Sequence, residues 1–190
     1  MKLILASKSP RRKEILSRLN IPFSIIPSEI NEALIKSDKK PHEYAQKVAS
    51  IKCNKIGNRY TNHTVIGADT IVITNKSILG KPKNKNEARY MLQQLSGKKH
   101  EVITGVSIQN INKNICHSFF ESTIVDFYKI PENYISKYIN SESPYDKAGA
   151  YGIQDWSSIF VKKINGSYDN VVGFPLSQFI IELNKLGIKF

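Results

Sequence analysis

Thr64-Val65-Ile66-Gly67-Ala68-Asp69-Thr70-Ile71-Val72-Ile73-Thr74 is the stretch on which the fold turns. β-Branched residues dominate it and apolar side chains fall on both faces, the pattern of a strand buried inside a sheet rather than one with a wet side. An ionisable carboxylate sits at its centre. Without partners Asp69 would be costly there, so it must reach a cation, a metal ion or an open cleft. Gly67 and Ala68 keep the neighbourhood small and leave room for a ligand. The alternative is a structural salt bridge, because buried ion pairs also occur without function.

Upstream of this strand, the apolar run 3–6 reads as a short strand, and Ser9-Pro10 announces a helix whose apolar positions continue at Ile15, Leu16 and Leu19. An extended piece over 23–26 stops at Pro27. A polar segment, 28–40, leads to a helix over 41–56 with Gly57 as its stop. Downstream come the Gly80-Lys81-Pro82 turn, a helix over 86–95 ended by Gly97, and strands over 101–109 and 116–127 joined by a hairpin loop at 110–114. The pattern closes with a helix over 131–139, a loop at Ser143-Pro144, a strand pair across 150–164 and a helix from Pro175 to about Gly187. Repeats and low-complexity linkers are absent, and the expected class is a mixed α/β domain.

At 190 residues and 41% hydrophobic, the chain suits one folding unit over 1–190, with room for two lobes around a cleft. No apolar run approaches a membrane span, and the start turns polar too soon for a secretory core, so a cytoplasmic protein is expected. Cys53 and Cys116 are far apart, neither lies in a Cys-x-x-Cys pair, and no histidine stands at ligand spacing, which predicts reduced, packed thiols. The formal net charge of +12 favours capture of polyanions, nucleic acid or polyphosphate nucleotide alike. Much of that excess is lysine scattered among asparagine and isoleucine, so charge alone does not choose between them.

Ser7-Lys8-Ser9-Pro10-Arg11-Arg12 forms a polar loop delivered by a strand to a helix N-terminus, where backbone N–H groups, two hydroxyls and two guanidiniums suit phosphate oxygens. Capping explains Ser9 and Pro10 but not the paired arginines. Lys52 shares the inward stripe of its helix with Ala45, Val48, Ala49 and Ile56, so it either snorkels or meets an anion. Lys81 is pinned between Gly80 and Pro82. Glu32 is a lone carboxylate in an irregular stretch. Two carboxylates and several cations converging on one place suit divalent-metal-assisted phosphoryl chemistry. The phosphate-loop, dinucleotide-fingerprint, nucleophile-elbow and His-Glu-x-x-His motifs are all missing from the sequence. Tyr145, Tyr151, Trp156 and Phe174 could stack a base, although most aromatics of such a chain belong to its core.

In this order, Leu5-Ala6-Ser7-Lys8-Ser9-Pro10-Arg11-Arg12, Gly67-Ala68-Asp69-Thr70, Gly80-Lys81-Pro82, Leu95-Ser96-Gly97, Thr104-Gly105-Val106, residues 146–154, Ile164-Asn165-Gly166-Ser167-Tyr168 and Val172-Gly173 resemble the Maf family of nucleotide pyrophosphatases. The resemblance implies a bent mixed sheet with flanking helices in two lobes around a deep cleft, related to the inosine-triphosphate pyrophosphatase (HAM1) fold, often as a homodimer. It implies a house-cleaning hydrolase that cleaves a nucleoside triphosphate to the monophosphate and pyrophosphate with Mg²⁺ or Mn²⁺. Asp69 would activate or position the water, Glu32 would share metal and water binding, and Ser7, Ser9, Arg12, Lys52 and Lys81 would grip the triphosphate. Arg11, Thr70 and Gln154 resemble the dTTP/UTP subgroup rather than the 7-methyl-GTP subgroup. The amide of Gln154 offers both a donor and an acceptor to a pyrimidine's imide edge.

Two places depart from the family pattern. Asn31 stands where relatives often carry a second acid, which bears on metal affinity, and Asp155-Trp156 follows Gln154 where relatives commonly have glycine, which bears on the fit around the base. A rival function is a nucleic-acid-binding or septum-regulating interaction protein, motivated by the charge and by the family's link to septum inhibition. It accounts for the charge but not for an aspartate inside a buried strand, so a nucleotide partner is preferred to nucleic acid.

Overall fold

The computed structural model describes residues 2–35, 40–75 and 77–189. It is a mixed α/β fold with a seven-stranded sheet of order β2-β1-β3-β5-β6-β7, to which β4 adds by pairing with β3. The strands are β1 (Leu3–Leu5), β2 (Phe23–Ile25), β3 (Thr64–Thr74), β4 (Ser77–Leu79), β5 (Lys99–Asn110), β6 (Ile115–Phe127) and β7 (Val161–Asn165). The helices are α1 (Pro10–Ser17), α2 (Pro41–Gly57), α3 (Lys85–Leu95), α4 (Glu132–Ile139), α5 (Tyr168–Val172) and α6 (Leu176–Lys185). Part of the expected polar segment, 36–39, lies outside the described residues. The chain divides into two compact units: Met1–Thr70, Thr104–Glu121 and Gly173–Phe190 form the first, and Ile71–Ile103 with Ser122–Val172 the second.

In the first unit β1 is fully buried and pairs in parallel with both β2 and the start of β3, with Leu3 opposite Phe23 and Thr64. Every residue of β3 is buried except the half-buried Thr70, as its two-sided apolar pattern requires. Two glycines decide how closely α2 approaches the strands. A Cβ on Gly67 would lie 2.2 Å from the carbonyl oxygen of Ala49, and one on Gly105 would lie 2.4 Å from the carbonyl carbon of Ala45. Strand side chains alternate, so Asp69 faces the same way as Gly67, and Lys52 lies three residues beyond Ala49 on the helix. Close backbone approach thus delivers the lysine to the aspartate. Ile4, Ala6, Cys53, Ile56 and Val65 seal this contact.

The second unit is built on an apolar cluster that includes Leu92, Leu95, Val102, Val125, Phe127, Ile135 and Phe160. Asn84 caps α3 by accepting from the Glu87 amide, while the Glu87 carboxylate accepts from the Lys83 amide just before the cap. The strand pair expected across 150–164 is not formed. Only β7 extends, antiparallel to β6 with Ile164 opposite Val125; 148–150 and 156–160 are short 3₁₀ turns. Positive φ at Gly149 (68°) and Ala150 (62°) turns the chain, and Asp155 caps the second turn by accepting from the Ser157 amide. β4 and α5 also went unforeseen, each being too short to show a period.

Cys53 is buried and reduced as expected, its thiol pushed up to about 12 by burial. Cys116 is exposed, contrary to the packed thiol expected, because it falls on an outward position of β6. Among the described residues no helix is long and apolar enough to cross a membrane.

Candidate active site

The loop between β1 and α1 is held by its own hydroxyls. Ser7 Oγ accepts from the Ser9 amide at 3.2 Å and from Arg12 Nη1 at 3.4 Å, and Ser9 Oγ caps α1 by accepting from the Arg12 amide at 3.3 Å. A hydroxyl carries one proton and two lone pairs. Both oxygens are used here as acceptors, and neither proton is donated to a described residue. Two O–H donors are therefore available at the positive end of α1, a suitable seat for an anion. Arg12 is buried beside them, donating from Nε to the Gly173 carbonyl at 2.9 Å and from Nη2 to Thr70 Oγ1 at 3.0 Å. Burial draws its pKa down, opposed by the charges of Asp69 and Glu32 and assisted by Arg11.

Lys52, 6% exposed, lies between both carboxylates singled out in the sequence. Its Nζ is 2.7 Å from Asp69 Oδ1 and 2.8 Å from Glu32 Oε1, with the Ala68 carbonyl at 3.5 Å. The three ammonium donors are thereby directed at protein oxygens, so Lys52 here neutralises carboxylates rather than offering itself to phosphate. Asp69 is also 6% exposed, yet its second oxygen, Oδ2, accepts no hydrogen bond from any described residue. Glu32 comes from a single 3₁₀ turn, Glu32–Leu34, and its side chain is 43% exposed. A buried carboxylate with one paired and one unpaired oxygen can hold a water and take its proton.

The first unit thus brings together Ser7, Ser9, Arg12 and Thr70, and also Glu32, Lys52 and Asp69; the half-buried Arg11 precedes Arg12 on α1. Lys81 and Gln154 belong to the second unit, where both are exposed and neither bonds to a described residue. Asn31 is exposed. Of the aromatics, Tyr151 and Phe174 are buried, the Tyr151 hydroxyl lying 2.7 Å from His100 Nε2. Tyr145 donates its hydroxyl to the Ile139 carbonyl. Trp156 is 38% exposed, but Tyr138 stacks on it at 6.0 Å and Lys137 Nζ lies 5.3 Å from its ring centre. Its ring belongs to the α4 surface.

Three residues of the first unit escaped the sequence-based selection of site residues. Tyr44 has its hydroxyl pKa raised by burial and by the charges of Asp69 and Glu32; its spacing of four and eight residues from Val48 and Lys52 was the available signal. Thr104 Oγ1 lies 3.0 Å from Thr70 Oγ1, and the Gly173 carbonyl is the main acceptor of Arg12. Among the described residues no group of three or more His, Cys, Asp or Glu could hold an ion. Asp69 and Glu32 still offer two hard oxygen donors, one unpaired, which fits a Mg²⁺-like ion that draws its remaining ligands from phosphates and water.

The family described as Maf-like protein matches residues 2–186. A Bacillus cereus (strain G9842) protein named dTTP/UTP pyrophosphatase is 46% identical over 187 residues, covering 98% of this chain and 96% of the relative. One from Bacillus anthracis with the same name is 47% identical over the same shares. Among solved structures, a HAM1 protein from Coxiella burnetii superimposes with a TM-score of 0.50 at 14% identity, covering 97% of this chain and 99% of that one. The Staphylococcus aureus Ham1 protein gives 0.50 at 11% identity over the whole of both chains. At such identities the likeness concerns the fold, which is that of the HAM1 proteins.

Proposed function

The chain belongs to the Maf family, and from that premise we propose that it is a cytoplasmic nucleoside triphosphate pyrophosphatase that hydrolyses dTTP and UTP to the monophosphate and pyrophosphate. The observation that carries this reading is buried Asp69, whose Oδ2 is unpaired among the described residues, next to a lysine-bridged second carboxylate. The relatives named dTTP/UTP pyrophosphatase support the substrate. As a house-cleaning enzyme it would keep unwanted pyrimidine nucleotides from being incorporated. The family resemblance adds a homodimer, with residues 1–190 acting as one catalytic domain.

In the reaction, water attacks the α-phosphorus, a new P–O bond forms, and the bond to the bridging oxygen breaks, so that pyrophosphate leaves with the electron pair. Asp69 Oδ2 takes the water's proton, while Lys52 holds Oδ1 and fixes the carboxylate's orientation. The hydroxyls of Ser7 and Ser9, the remaining N–H groups of Arg12, and Lys81 bind the phosphates. Asp69 and Glu32 would hold a Mg²⁺ or Mn²⁺ ion, which when bound supplies charge neutralisation for the polyphosphate. Arg11, Thr70 and Gln154 set the preference for a pyrimidine.

Pyrophosphate release should be measured with Mg²⁺ or Mn²⁺ on dTTP, UTP, CTP, GTP, 7-methyl-GTP and inosine triphosphate, with Asp69→Asn in parallel. Preferential turnover of dTTP and UTP, lost in the variant, is expected. Turnover of 7-methyl-GTP alone would keep the chemistry and overturn the specificity. No turnover of any nucleotide would favour an interaction protein instead.

A further inference from the structure

We propose that Thr104 is a positioning residue for the phosphate-binding guanidinium of Arg12, acting through the hydroxyl of Thr70; this rests on Arg12 binding phosphate as read above. Three of the five N–H groups of Arg12 point at fixed protein oxygens: Nε at the Gly173 carbonyl, Nη2 at Thr70 Oγ1 and Nη1 at Ser7 Oγ. Two have no acceptor among the described residues and remain for a ligand, and their direction is set by the other three. The acceptors come from the loop after α5, from β3 and from the loop after β1, so the guanidinium plane is registered against three separate segments.

Hydroxyl bookkeeping shows why Thr104 matters. An arginine only donates, so Thr70 must turn a lone pair toward Nη2. The single Thr70 proton then has two acceptors, Thr104 Oγ1 at 3.0 Å and the Gly173 carbonyl at 3.4 Å. The Gly173 oxygen already receives Nε at 2.9 Å, and Thr104 is both nearer and fully buried. Whether Thr104 accepts that proton or sends its own to Thr70, it holds the Thr70 oxygen with a lone pair toward Arg12. Remove the Thr104 hydroxyl, and Thr70 can rotate away from Nη2. Gly173, with φ 125°, completes the enclosure: a Cβ there would lie 3.4 Å from Thr70 Oγ1 and 3.9 Å from Arg12 Nε.

Steady-state KM and kcat for dTTP should be compared in wild type, Arg12→Ala, Thr104→Val, Thr104→Ser and the Arg12→Ala/Thr104→Val double variant, each checked by circular dichroism. Thr104→Val is expected to raise KM about tenfold, the scale of one buried hydrogen bond, with kcat within about threefold of wild type. Thr104→Ser should behave as wild type, and Thr104→Val should add nothing once Arg12 is gone. A wild-type KM in Thr104→Val alongside an impaired Arg12→Ala overturns this inference alone, as do additive effects in the double variant. A wild-type KM in Arg12→Ala overturns the phosphate-binding role beneath it as well. Should Thr104→Val not fold, Thr104→Ala in the same cycle decides between the same outcomes.

Discussion

Lys52 and Lys147 each bridge two carboxylates, Lys52 at 2.7 Å from Asp69 and 2.8 Å from Glu32, Lys147 at 2.7 Å from Asp146 and 3.3 Å from Asp155. Their surroundings differ. Asp155 also accepts from Ser143 Oγ at 2.6 Å, the Ser157 amide at 2.9 Å, Ser157 Oγ at 2.5 Å and the Tyr138 hydroxyl at 3.2 Å. Among the described residues Asp69 accepts from Lys52 alone. The better-satisfied side chain is the more exposed one, 24% against 9%. Burial normally demands the reverse, because a desolvated carboxylate needs its partners most. The saturated cluster ties loops together, whereas in the other, held in place by a tight glycine contact, Asp69 Oδ2 carries no bond to a described residue.

The widest separation should come from neutralising the two aspartates in turn. Asp69→Asn is expected to lower kcat about a thousandfold, within the range for loss of a general base, while leaving the melting temperature unchanged or slightly raised. Pyrophosphate release and thermal melts on the same preparation check both. A melting temperature that collapses with kcat would make Asp69 structural and erase the contrast. Lys52→Met ranks next: leaving the buried Asp69 carboxylate without its lysine should cost about 3 kcal/mol of stability in a urea titration. An unchanged urea midpoint would mean the carboxylate finds another partner.

Asp155→Asn tests the saturated cluster and should reverse the pattern. Asparagine keeps the shape but loses the charge that five donors address, so a loss of about 2 kcal/mol is expected. For a chain of this size that is a fall of several degrees in melting temperature, and kcat should stay within about twofold. An Asp155→Asn enzyme as dead as Asp69→Asn would show that the second cluster takes part in turnover.

Residues whose roles follow from local period were legible in the sequence; those whose roles follow from packing were not. Asp69 stood out because a charge interrupts a two-sided apolar strand, and Lys52 because it falls on an apolar helix stripe. Their meeting needed Gly67 against Ala49, a contact no period encodes. Arg12 was legible as a cation at a helix start, but its bonds to Thr70 and Gly173 span 58 and 161 residues. Thr104, two hydrogen bonds from Arg12 through Thr70, left no trace beyond a motif match. The stretch 150–160 misled because its tyrosine, isoleucine and tryptophan favour strands, whereas the left-handed backbone at 149 and 150 and the Asp155 cap decide the conformation.

Acid should sharpen the contrast by a smaller amount. Burial alone would raise the Asp155 carboxyl, but hydrogen bonds from Ser143 and Ser157 and the charge of Lys147 together hold it below the ordinary carboxylate range. A carboxyl depressed in the folded state contributes stability above its unfolded pKa of about 3.9, and that contribution is lost as pH falls through the lower folded value. Between pH 5 and 8 the cluster should therefore give a flat contribution. Urea midpoints for wild type and Asp155→Asn, followed from about pH 6 down to about pH 3, should stay a constant distance apart at first and then converge as wild type alone loses this carboxylate's share. The convergence should be modest, because the side chain is partly exposed and its ion pair is screened. A gap that stays constant to the lowest pH would mean that ionisation of Asp155 is not what separates the two proteins, and the two lysine clusters would then differ in kind rather than in degree of saturation.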